Sequence, residues 1–169
     1  EFDIAVRPGQ TITAKGYDDV EFLTSTNPGE SLKPLSQVAS GGELSRIMLA
    51  IKTVLAGRDE IDTLLFDEID TGISGRTAWK VAEQLSVLSG AHQVICITHL
   101  PQIAAMADVH FVIEKSSTDD MTITDIHKVS AEESLAELAR LLGSDALTEA
   151  ALSNAKEMKE EAGMFKETR

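Results

Sequence analysis

Cysteine is nearly absent from this sequence of 169 residues: it has one, Cys96, and therefore no possible internal disulfide. The position of Cys96 in the apolar run at residues 94–97 is typical of a small buried side chain in a reducing compartment. The sequence also lacks any apolar run of about 18 residues, the length that a membrane-spanning helix needs. We therefore expect neither a disulfide-stabilised fold nor an association with a membrane.

Basic and aromatic residues are also scarce. The chain has 15 Lys and Arg against 28 Asp and Glu, a formal net charge of -13, and only 4% aromatic residues. Binding to a nucleic-acid backbone depends on clustered Lys and Arg, and binding to single strands also uses aromatic rings as stacking platforms. We therefore expect that this stretch of chain does not bind DNA by itself.

Hydrophobic residues, in contrast, make up 43% of the sequence. With domains of about 150 residues as the guide, the length indicates one domain with a substantial core. In residues 1–35, alternating apolar residues predict strands around residues 2–6 and Ile12, joined by a turn at Pro8-Gly9. A further strand near residues 20–23 ends at the turn-forming Asn27-Pro28-Gly29, which gives a small antiparallel sheet and a loop.

The remainder of the chain divides into three parts. Residues 36–57 form a glycine-containing loop and an amphipathic helix. Residues 58–130 contain buried strands at 63–66 and 93–98 separated by a helix at 78–88, an order that predicts parallel pairing, then a third strand at 109–114 and a partner strand at 122–129. Residues 131–169 are predicted to be helical, with a frayed end at 156–169. The pattern predicts an α/β fold.

The segment Ser40-Gly41-Gly42-Glu43 stands directly before the first predicted helix. One interpretation is a capping box, in which the Ser40 hydroxyl and the Glu43 carboxylate accept hydrogen bonds from backbone N–H groups. That interpretation leaves the adjacent glycines unexplained, because glycine weakens a helix and is useful chiefly where backbone must approach another group closely. The second interpretation is an anion site, in which bare N–H groups at the helix start bind a phosphate.

Two adjacent carboxylates, Asp67 and Glu68, follow the buried strand at residues 63–66. Open α/β sheets bind ligands at the carboxyl ends of their strands, and desolvated acids there need a cation or hydrogen-bond donors. An apolar strand that ends in Asp is the Walker B pattern, in which Asp holds Mg²⁺ at nucleotide phosphates and a neighbouring Glu acts as general base. The alternative is that both acids cap the loop at residues 69–75.

His99 ends the next predicted strand, so we expect its ring beside Glu68 at the same edge of the sheet. There it would lie within reach of the same ligand. A single histidine is more often structural, and we assign a structural or solvent-facing role to His92, His110 and His127.

The order of these motifs resembles the second half of the head of an ABC-type ATPase. Three stretches restrict the resemblance to one family within this superfamily: ASGGELSR at 39–46, FDEIDTGISG at 66–75 and THLPQIA at 98–104. Together with residues 27–30 and 138–143, they are similar to the RecN family of bacterial SMC-like ATPases of DNA double-strand-break repair. This resemblance implies a partial P-loop NTPase head with a mostly parallel core sheet, a small antiparallel sheet and terminal helices.

The resemblance also implies a site for ATP that two copies of the head share. Ser40, Gly41, Gly42 and Glu43 match the signature loop, which contacts the γ-phosphate of an ATP held by the opposite copy. Asp70 lies in the segment that matches the D-loop, which touches the partner head.

The same resemblance assigns the hydrolytic residues. Asp67 matches the acid that places Mg²⁺, and Glu68 matches the base that activates water. His99 matches the switch histidine, which senses or stabilises the γ-phosphate.

One motif of such heads is missing, because the sequence contains no Gly-x-x-x-x-Gly-Lys-[Ser/Thr] phosphate-binding loop. In the RecN family that Walker A loop belongs to an amino-terminal lobe, separated from this part by a long coiled coil. The implied partners are therefore that lobe, a second copy of the head, and DNA through the intact protein, in the bacterial cytoplasm at the nucleoid. We expect this chain alone to be inactive.

Two other functions fit parts of the pattern. A non-catalytic dimerisation or interaction module would use the same surface but would have no use for Asp67, Glu68 and His99 at an open sheet edge. The nucleotide-binding subunit of an ABC transporter would have Pro after the Walker B pair and Leu-Asp at the end of the D-loop. This sequence has Ile69 and Ser74-Gly75 at those places.

Overall fold

The computed structural model describes residues 1–25, 29–37, 40–58, 60–118, 121–143 and 147–168. Within these ranges the backbone forms three small sheets and five α-helices. Asn27 and Pro28 of the turn expected at Asn27-Pro28-Gly29 lie outside the described residues.

The chain begins with a long antiparallel hairpin of β1 (Phe2–Thr13) and β2 (Gly16–Thr24). The short strand β3 (Lys33–Pro34) pairs with the end of β2 and leads into a 3-10 helix at Leu35–Gln37. Strand pairing places five apolar side chains on one face of the hairpin, and each is at least 45% exposed: Phe2, Ile4, Val6, Val20 and Phe22. The antiparallel sheet is confirmed, but this face has no cover within the described chain.

The turn expected at Pro8-Gly9 is wrong. Strand β1 continues through both residues, and the hairpin turns at Ala14-Lys15 instead. A Cβ atom at residue 9 would lie 2.1 Å from the carbonyl oxygen of Tyr17 on β2. Gly9 therefore lets the two strands approach closely near the shift in their register, and it does not end the strand.

The centre of the fold is a strand, helix, strand unit that follows α1 (Gly41–Leu55). Strands β4 (Thr63–Phe66) and β5 (Gln93–Cys96) pair in parallel, from Thr63 opposite Gln93 to Phe66 opposite Cys96. The helix α2 (Gly75–Leu88) supplies the connection that parallel strands require. A short helix, α3 (Pro101–Ala105), follows the sheet edge.

The core lies on one side of this parallel pair. Helix α2 buries the apolar stripe that its sequence predicts, and Ile69, Leu88 and Leu138 are the largest side chains that are fully buried. Leu64, Val94 and Cys96 pack against this core from the inner face of the sheet. On the outer face Leu65 is 64% exposed, and Ile95 and Ile97 are each 45% exposed.

The last part of the described chain contains β6 (Phe111–Thr118), β7 (Met121–Lys128), α4 (Ala131–Leu141) and α5 (Glu149–Glu167). The third predicted strand is present, but its described residues pair with β7 in an antiparallel hairpin and do not extend the parallel pair. Helices α4 and α5 pack against each other and against α3.

The prediction of a frayed carboxyl end is wrong over residues 156–167, which continue α5. The Lys159 ammonium donates to two backbone carbonyl oxygens at and just beyond the end of α3, at 3.0 and 3.1 Å. Lys166 pairs with Asp108 at 2.5 Å. These contacts tie the helix to a distant part of the chain, which its local composition does not reveal.

This architecture confirms the predicted α/β class, with a parallel pair of strands, small antiparallel sheets and terminal helices. Among the described residues, no helix is both long enough and apolar enough to cross a membrane.

Candidate functional site

The three motif segments meet at the carboxyl ends of β4 and β5. The Ser45 hydroxyl, near the start of α1, donates to the carbonyl oxygen of Asp67 at 3.1 Å. The N–H of Ile97 donates to the carbonyl oxygen of Phe66 at 3.0 Å, so the chain continues beside β4 up to His99. The structure therefore brings the glycine loop, the acidic pair and the histidine to one edge.

Arg46 joins the start of α1 to the loop that follows β4. Its Nη1 donates to the carbonyl oxygen of Ile69 at 3.0 Å and to that of Thr71 at 2.8 Å. Because the guanidinium is planar and rich in donors, one side chain holds two carbonyl groups of the same loop. Sequence reasoning missed Arg46, for which the only signal is a charged residue beside the apolar stripe of α1.

Both glycines of the motif lie against this loop. A Cβ atom at Gly42 would come within 2.8 Å of the Glu68 carbonyl oxygen and 3.0 Å of the Thr71 Cβ atom. A Cβ atom at Gly41 would lie 2.5 Å from Oε2 of Glu68. Close packing inside the chain is thus one reason for the glycines, beside the approach of a ligand. Gly42 is buried, whereas Gly41 is exposed at the edge.

We expect Gly42→Ala to destabilise this chain by about 1–3 kcal/mol, because the new methyl group would overlap backbone that Arg46 holds in place. Gly163→Ala is the matched control, since no atom of the described residues lies within 4 Å of a Cβ added there in α5. Alanine at such an open helix position stabilises by about 0.5–1 kcal/mol. Urea unfolding followed by circular dichroism measures both changes. Effects of the same sign at the two positions would contradict the close packing of Gly42.

The capping-box interpretation of Ser40 and Glu43 is wrong. Ser40 is the N-cap residue of α1, but its side chain accepts no capping hydrogen bond from the described residues. A complete capping box instead begins α4, where Ser130 and Glu133 accept hydrogen bonds from each other's backbone N–H groups. These hydrogen bonds lower the pKa of Glu133. The anion-site interpretation of the glycine loop remains.

Asp67 and Glu68 are both exposed at the edge. Oδ1 of Asp67 accepts a hydrogen bond from the Glu68 N–H at 2.9 Å, and the Glu68 carbonyl oxygen accepts one from the Thr71 N–H at 3.0 Å. Glu68 has a φ of 58°, the one positive φ among described residues other than glycine. A left-handed conformation costs such a residue about 1–3 kcal/mol and is concentrated at functional sites. Among the described residues, neither carboxylate accepts a hydrogen bond from the loop at residues 69–75, as the loop-capping alternative requires, and the Glu68 carboxylate lies beside Gly41.

Asp70 is only 3% exposed. Its Oδ2 accepts hydrogen bonds from the Thr98 hydroxyl at 2.6 Å and the His99 N–H at 2.9 Å, and it lies 3.0 Å from Nδ1 of His99. The His99 side chain itself is 72% exposed. The outer surface of the loop is formed by the exposed Thr71 and Gly72 and not by the Asp70 carboxylate.

The donor set at this edge fits Mg²⁺. Among the described residues there is no group of three His, Cys, Asp or Glu side chains that could enclose a metal ion. Mg²⁺ does not need such a cage, because it usually keeps several waters and binds one or two carboxylates together with substrate phosphates. The exposed Asp67 is a suitable carboxylate for this mode.

Cys96 lies beneath the edge. Burial, together with the negative charges of Asp70 and Asp67, raises the pKa of Cys96 to about 12. The thiol is therefore protonated at physiological pH and is a poor nucleophile. Cys96 is only partly buried against the core, so the prediction of a small buried side chain is met in part.

The other histidines make contacts that involve no residue of the edge. His92 is buried, and its Nδ1 lies 2.6 Å from the Ile61 carbonyl oxygen. The His110 Nδ1 lies 2.9 Å from the Ser134 hydroxyl, and burial, assisted by the positive charge of Lys159, lowers the pKa of His110. His127 is partly exposed. These positions match the structural and solvent-facing roles expected from the sequence.

The chain is similar to part of several known DNA repair proteins, although no family model matches it. The DNA repair protein RecN of Bacillus subtilis is 47% identical over 157 residues, which are 93% of this chain and 27% of that protein. RecN of Treponema pallidum is 52% identical over 143 residues, 85% of this chain and 25% of that protein. RecN of Vibrio cholerae is 48% identical over 85% of this chain and 26% of its own length. The chain thus spans about a quarter of the length of these relatives.

A solved structure shows the same fold. It comes from work on the structural biochemistry of ATP-driven dimerization and DNA stimulated activation of SMC ATPases, and it matches with a TM-score of 0.51 and 21% identity. The match covers 86% of this chain and 84% of that chain. The resemblance predicted from the motifs is confirmed: this chain has the fold of an SMC ATPase and is a relative of the carboxyl-terminal part of the RecN proteins.

Proposed function

We propose that this chain is the carboxyl-terminal part of the ATP-hydrolysing head of an SMC-like protein that acts in recombinational repair of DNA double-strand breaks. The observation that carries this proposal is the meeting of Ser40-Gly41-Gly42, Asp67-Glu68 and His99 at one sheet edge in a relative of the RecN proteins. Phosphoryl transfer from ATP needs a metal-binding acid, a group that orients water and donors for the phosphates, and these segments offer all three.

Asp67, Glu68 and His99 each have a separate role in hydrolysis. Asp67 would hold Mg²⁺, which would neutralise charge on the phosphates. Glu68 accepts a proton from the attacking water as general base. His99 contacts the γ-phosphate. All three side chains are exposed in the described chain, so they can reach a nucleotide that is held from outside it.

The signature loop of Ser40, Gly41, Gly42 and Glu43 contacts an ATP molecule held by a second copy of the head. Its position supports this role, because the loop forms one surface with the segment around Asp70 through Arg46 and the close packing of Gly42. A partner that touches the signature loop therefore also touches the exposed residues next to Asp70. ATP-driven dimerization is described for the SMC ATPases of the matching structure.

The amino-terminal lobe of the same protein, which carries the phosphate-binding loop, completes the sheet. Parallel strands are normally covered on both faces, and a two-stranded pair is marginal by itself. Here Leu65, Ile95 and Ile97 leave the outer face of the β4–β5 pair open, as do the apolar residues on one face of the β1–β2 hairpin. Because about three quarters of the relatives' length lies outside this chain, the covering part is available within the same protein.

Other parts of the intact protein contact DNA, because this chain has a formal net charge of -13, which repels the phosphate backbone. The protein works in the bacterial cytoplasm at the nucleoid, where its substrate lies.

The test measures phosphate release by the full-length protein with and without linear duplex DNA, and titrates the same labelled duplex with this chain alone. We expect the full-length protein to hydrolyse ATP and DNA to stimulate it, while the isolated chain shows no appreciable DNA binding at physiological salt. No ATP turnover by the full-length protein would contradict the proposed function. Tight duplex binding by the isolated chain would contradict the assignment of DNA contact to the rest of the protein.

A further inference from the structure

Asp70 is a buried carboxylate, and its side-chain hydrogen bonds within the described chain come from residues just after β5. It is 3% exposed. A single oxygen, Oδ2, accepts hydrogen bonds from the Thr98 hydroxyl at 2.6 Å and the His99 N–H at 2.9 Å, and it lies 3.0 Å from the His99 ring nitrogen Nδ1. An acid that loses its hydration in this way requires such donors. The bonds therefore join the loop after β4 to the residues that carry the histidine ring.

These contacts determine the chemical form of the ring. Oδ2 of Asp70 lies 3.0 Å from Nδ1 of His99, and two unprotonated acceptor atoms at that distance would repel each other, so the contact favours a proton on Nδ1. In the neutral ring the other nitrogen, Nε2, then holds the lone pair, and in the charged ring it holds a second proton. Nε2 lies on the far side of the ring from Asp70. Because the side chain is 72% exposed, Nε2 is the nitrogen that can reach a ligand.

The backbone around the ring is fixed by the same carboxylate. The Thr98 hydroxyl donates to Asp70 and accepts from the Leu100 N–H at 3.0 Å, so the residues between β5 and α3 are organised around one buried oxygen. The ring is thus held at Nδ1 and through its own backbone N–H. An active-site group is most effective when neighbouring residues lock its orientation before the ligand binds.

We propose that Asp70 is a positioning residue for His99: it holds the ring in the Nδ1–H form and presents Nε2 at the edge where Glu68 lies. The part of this inference that concerns ATP turnover rests on the proposed function, whereas the part that concerns the ring does not. Asp70 acts through His99 and does not itself touch the nucleotide.

The first experiment uses full-length protein with ¹⁵N-labelled histidine rings and reads the tautomer of neutral His99 from its ring nitrogens, assigned by their loss in His99→Ala. We expect protonated Nδ1 in the wild type, which is the less common form of free histidine. Asp70→Ala should shift the ring toward the Nε2–H form. Asp70→Asn keeps an oxygen acceptor and should retain the Nδ1–H form. Thr98→Val, which removes a neighbouring donor and leaves the ring contact, is the control and should also retain it.

The second experiment measures the steady-state ATPase activity of the same proteins. We expect Asp70→Ala to lower kcat by about 10- to 100-fold, the range seen when partners that orient metal-bound histidines are removed, with KM for ATP within about threefold. Asp70→Asn should recover most of this loss. The double variant with His99→Ala should be no slower than His99→Ala alone, because both changes remove one function.

Four outcomes separate the positioning role of Asp70 from the role of His99 in hydrolysis. An Nε2–H ring in the wild type, or a ring unchanged by Asp70→Ala, would overturn the positioning role without any reference to activity, and the wild-type reading does not depend on whether the alanine variant folds. Losses that multiply in the double variant would also overturn it, since Asp70 would then act independently of His99. The expected ring forms with an unchanged kcat in His99→Ala would support the positioning role and contradict the proposed role of His99 in hydrolysis.

Discussion

Full-length protein carrying Glu68→Gln is expected to bind ATP as the wild type does and to hydrolyse it about 10²- to 10⁴-fold more slowly. Glutamine keeps the size of the side chain, so it fits beside Gly41, where the Glu68 carboxylate lies. It cannot accept a proton from water. Because binding continues while turnover nearly stops, a dimer that contains ATP should accumulate. Phosphate release and size-exclusion chromatography with ATP measure the two effects.

Glu160→Gln is the matched control for this change. Glu160 is exposed on α5, and its replacement removes the same charge far along the chain from the edge. We expect its turnover to equal that of the wild type. Turnover of Glu68→Gln within a few fold of the control would remove Glu68 from the role of general base.

The second large effect is expected from Ser40→Arg, which should abolish ATP-dependent dimerisation and leave nucleotide binding by the monomer nearly unchanged. Ser40 stands at the start of α1, and its side chain makes no capping bond to the described residues, so its replacement does not remove a support of the helix. A long cation at this position would block the surface that meets the second copy. Analytical ultracentrifugation with and without ATP measures dimerisation, and a fluorescent ATP analogue measures binding.

Ser36→Arg provides the control for charge and size. Ser36 is exposed in the 3-10 helix shortly before the glycine loop. We expect this variant to dimerise normally. If nucleotide affinity of the Ser40→Arg monomer fell in step with dimerisation, the loop would act on a nucleotide in its own copy, and the shared site would be wrong.

The elements that form the edge could be predicted because their signals are local. The apolar stripe of α1 and the short apolar run of β4 follow from the periodicity of adjacent residues, and the structure gives β4 the predicted bounds, Thr63–Phe66. The strand, helix, strand order then requires parallel pairing, which brings Asp67 and His99 to the edge formed by the carboxyl ends of the strands.

The details of the edge could not be predicted, because they depend on contacts between distant residues. The left-handed backbone of Glu68 has no sequence signal, since left-handed residues are usually glycine or asparagine. The hydrogen bonds of Arg46 reach carbonyl groups 23 and 25 residues further along the chain. The burial of Asp70 under His99 is of the same kind, because nothing in the local sequence distinguishes it from its exposed neighbours.

The wrong predictions of a turn at Pro8-Gly9 and of a frayed carboxyl end have similar causes. Proline and glycine at positions 8 and 9 favour a turn locally, but the close approach of β2 at Tyr17 gives the glycine a role inside the strand. The polar end of α5 has few apolar residues to hold it, but Lys159 reaches carbonyl oxygens 54 and 52 residues earlier in the chain. A lysine ammonium that donates to carbonyl groups at the carboxyl end of a helix stabilises that helix, here α3. The same contact holds α5 in place.

The most direct test of the account is phosphate release from ATP and Mg²⁺ by this chain alone, by the separately expressed lobe that carries the phosphate-binding loop, and by an equimolar mixture of the two. Asp67 and Glu68 can act only on a nucleotide that another part of the protein holds. We therefore predict background rates for each part alone, turnover in the mixture, and loss of that turnover when the chain carries Glu68→Gln. ATP hydrolysis by this chain without the other lobe would contradict the claim that it is one part of a divided head.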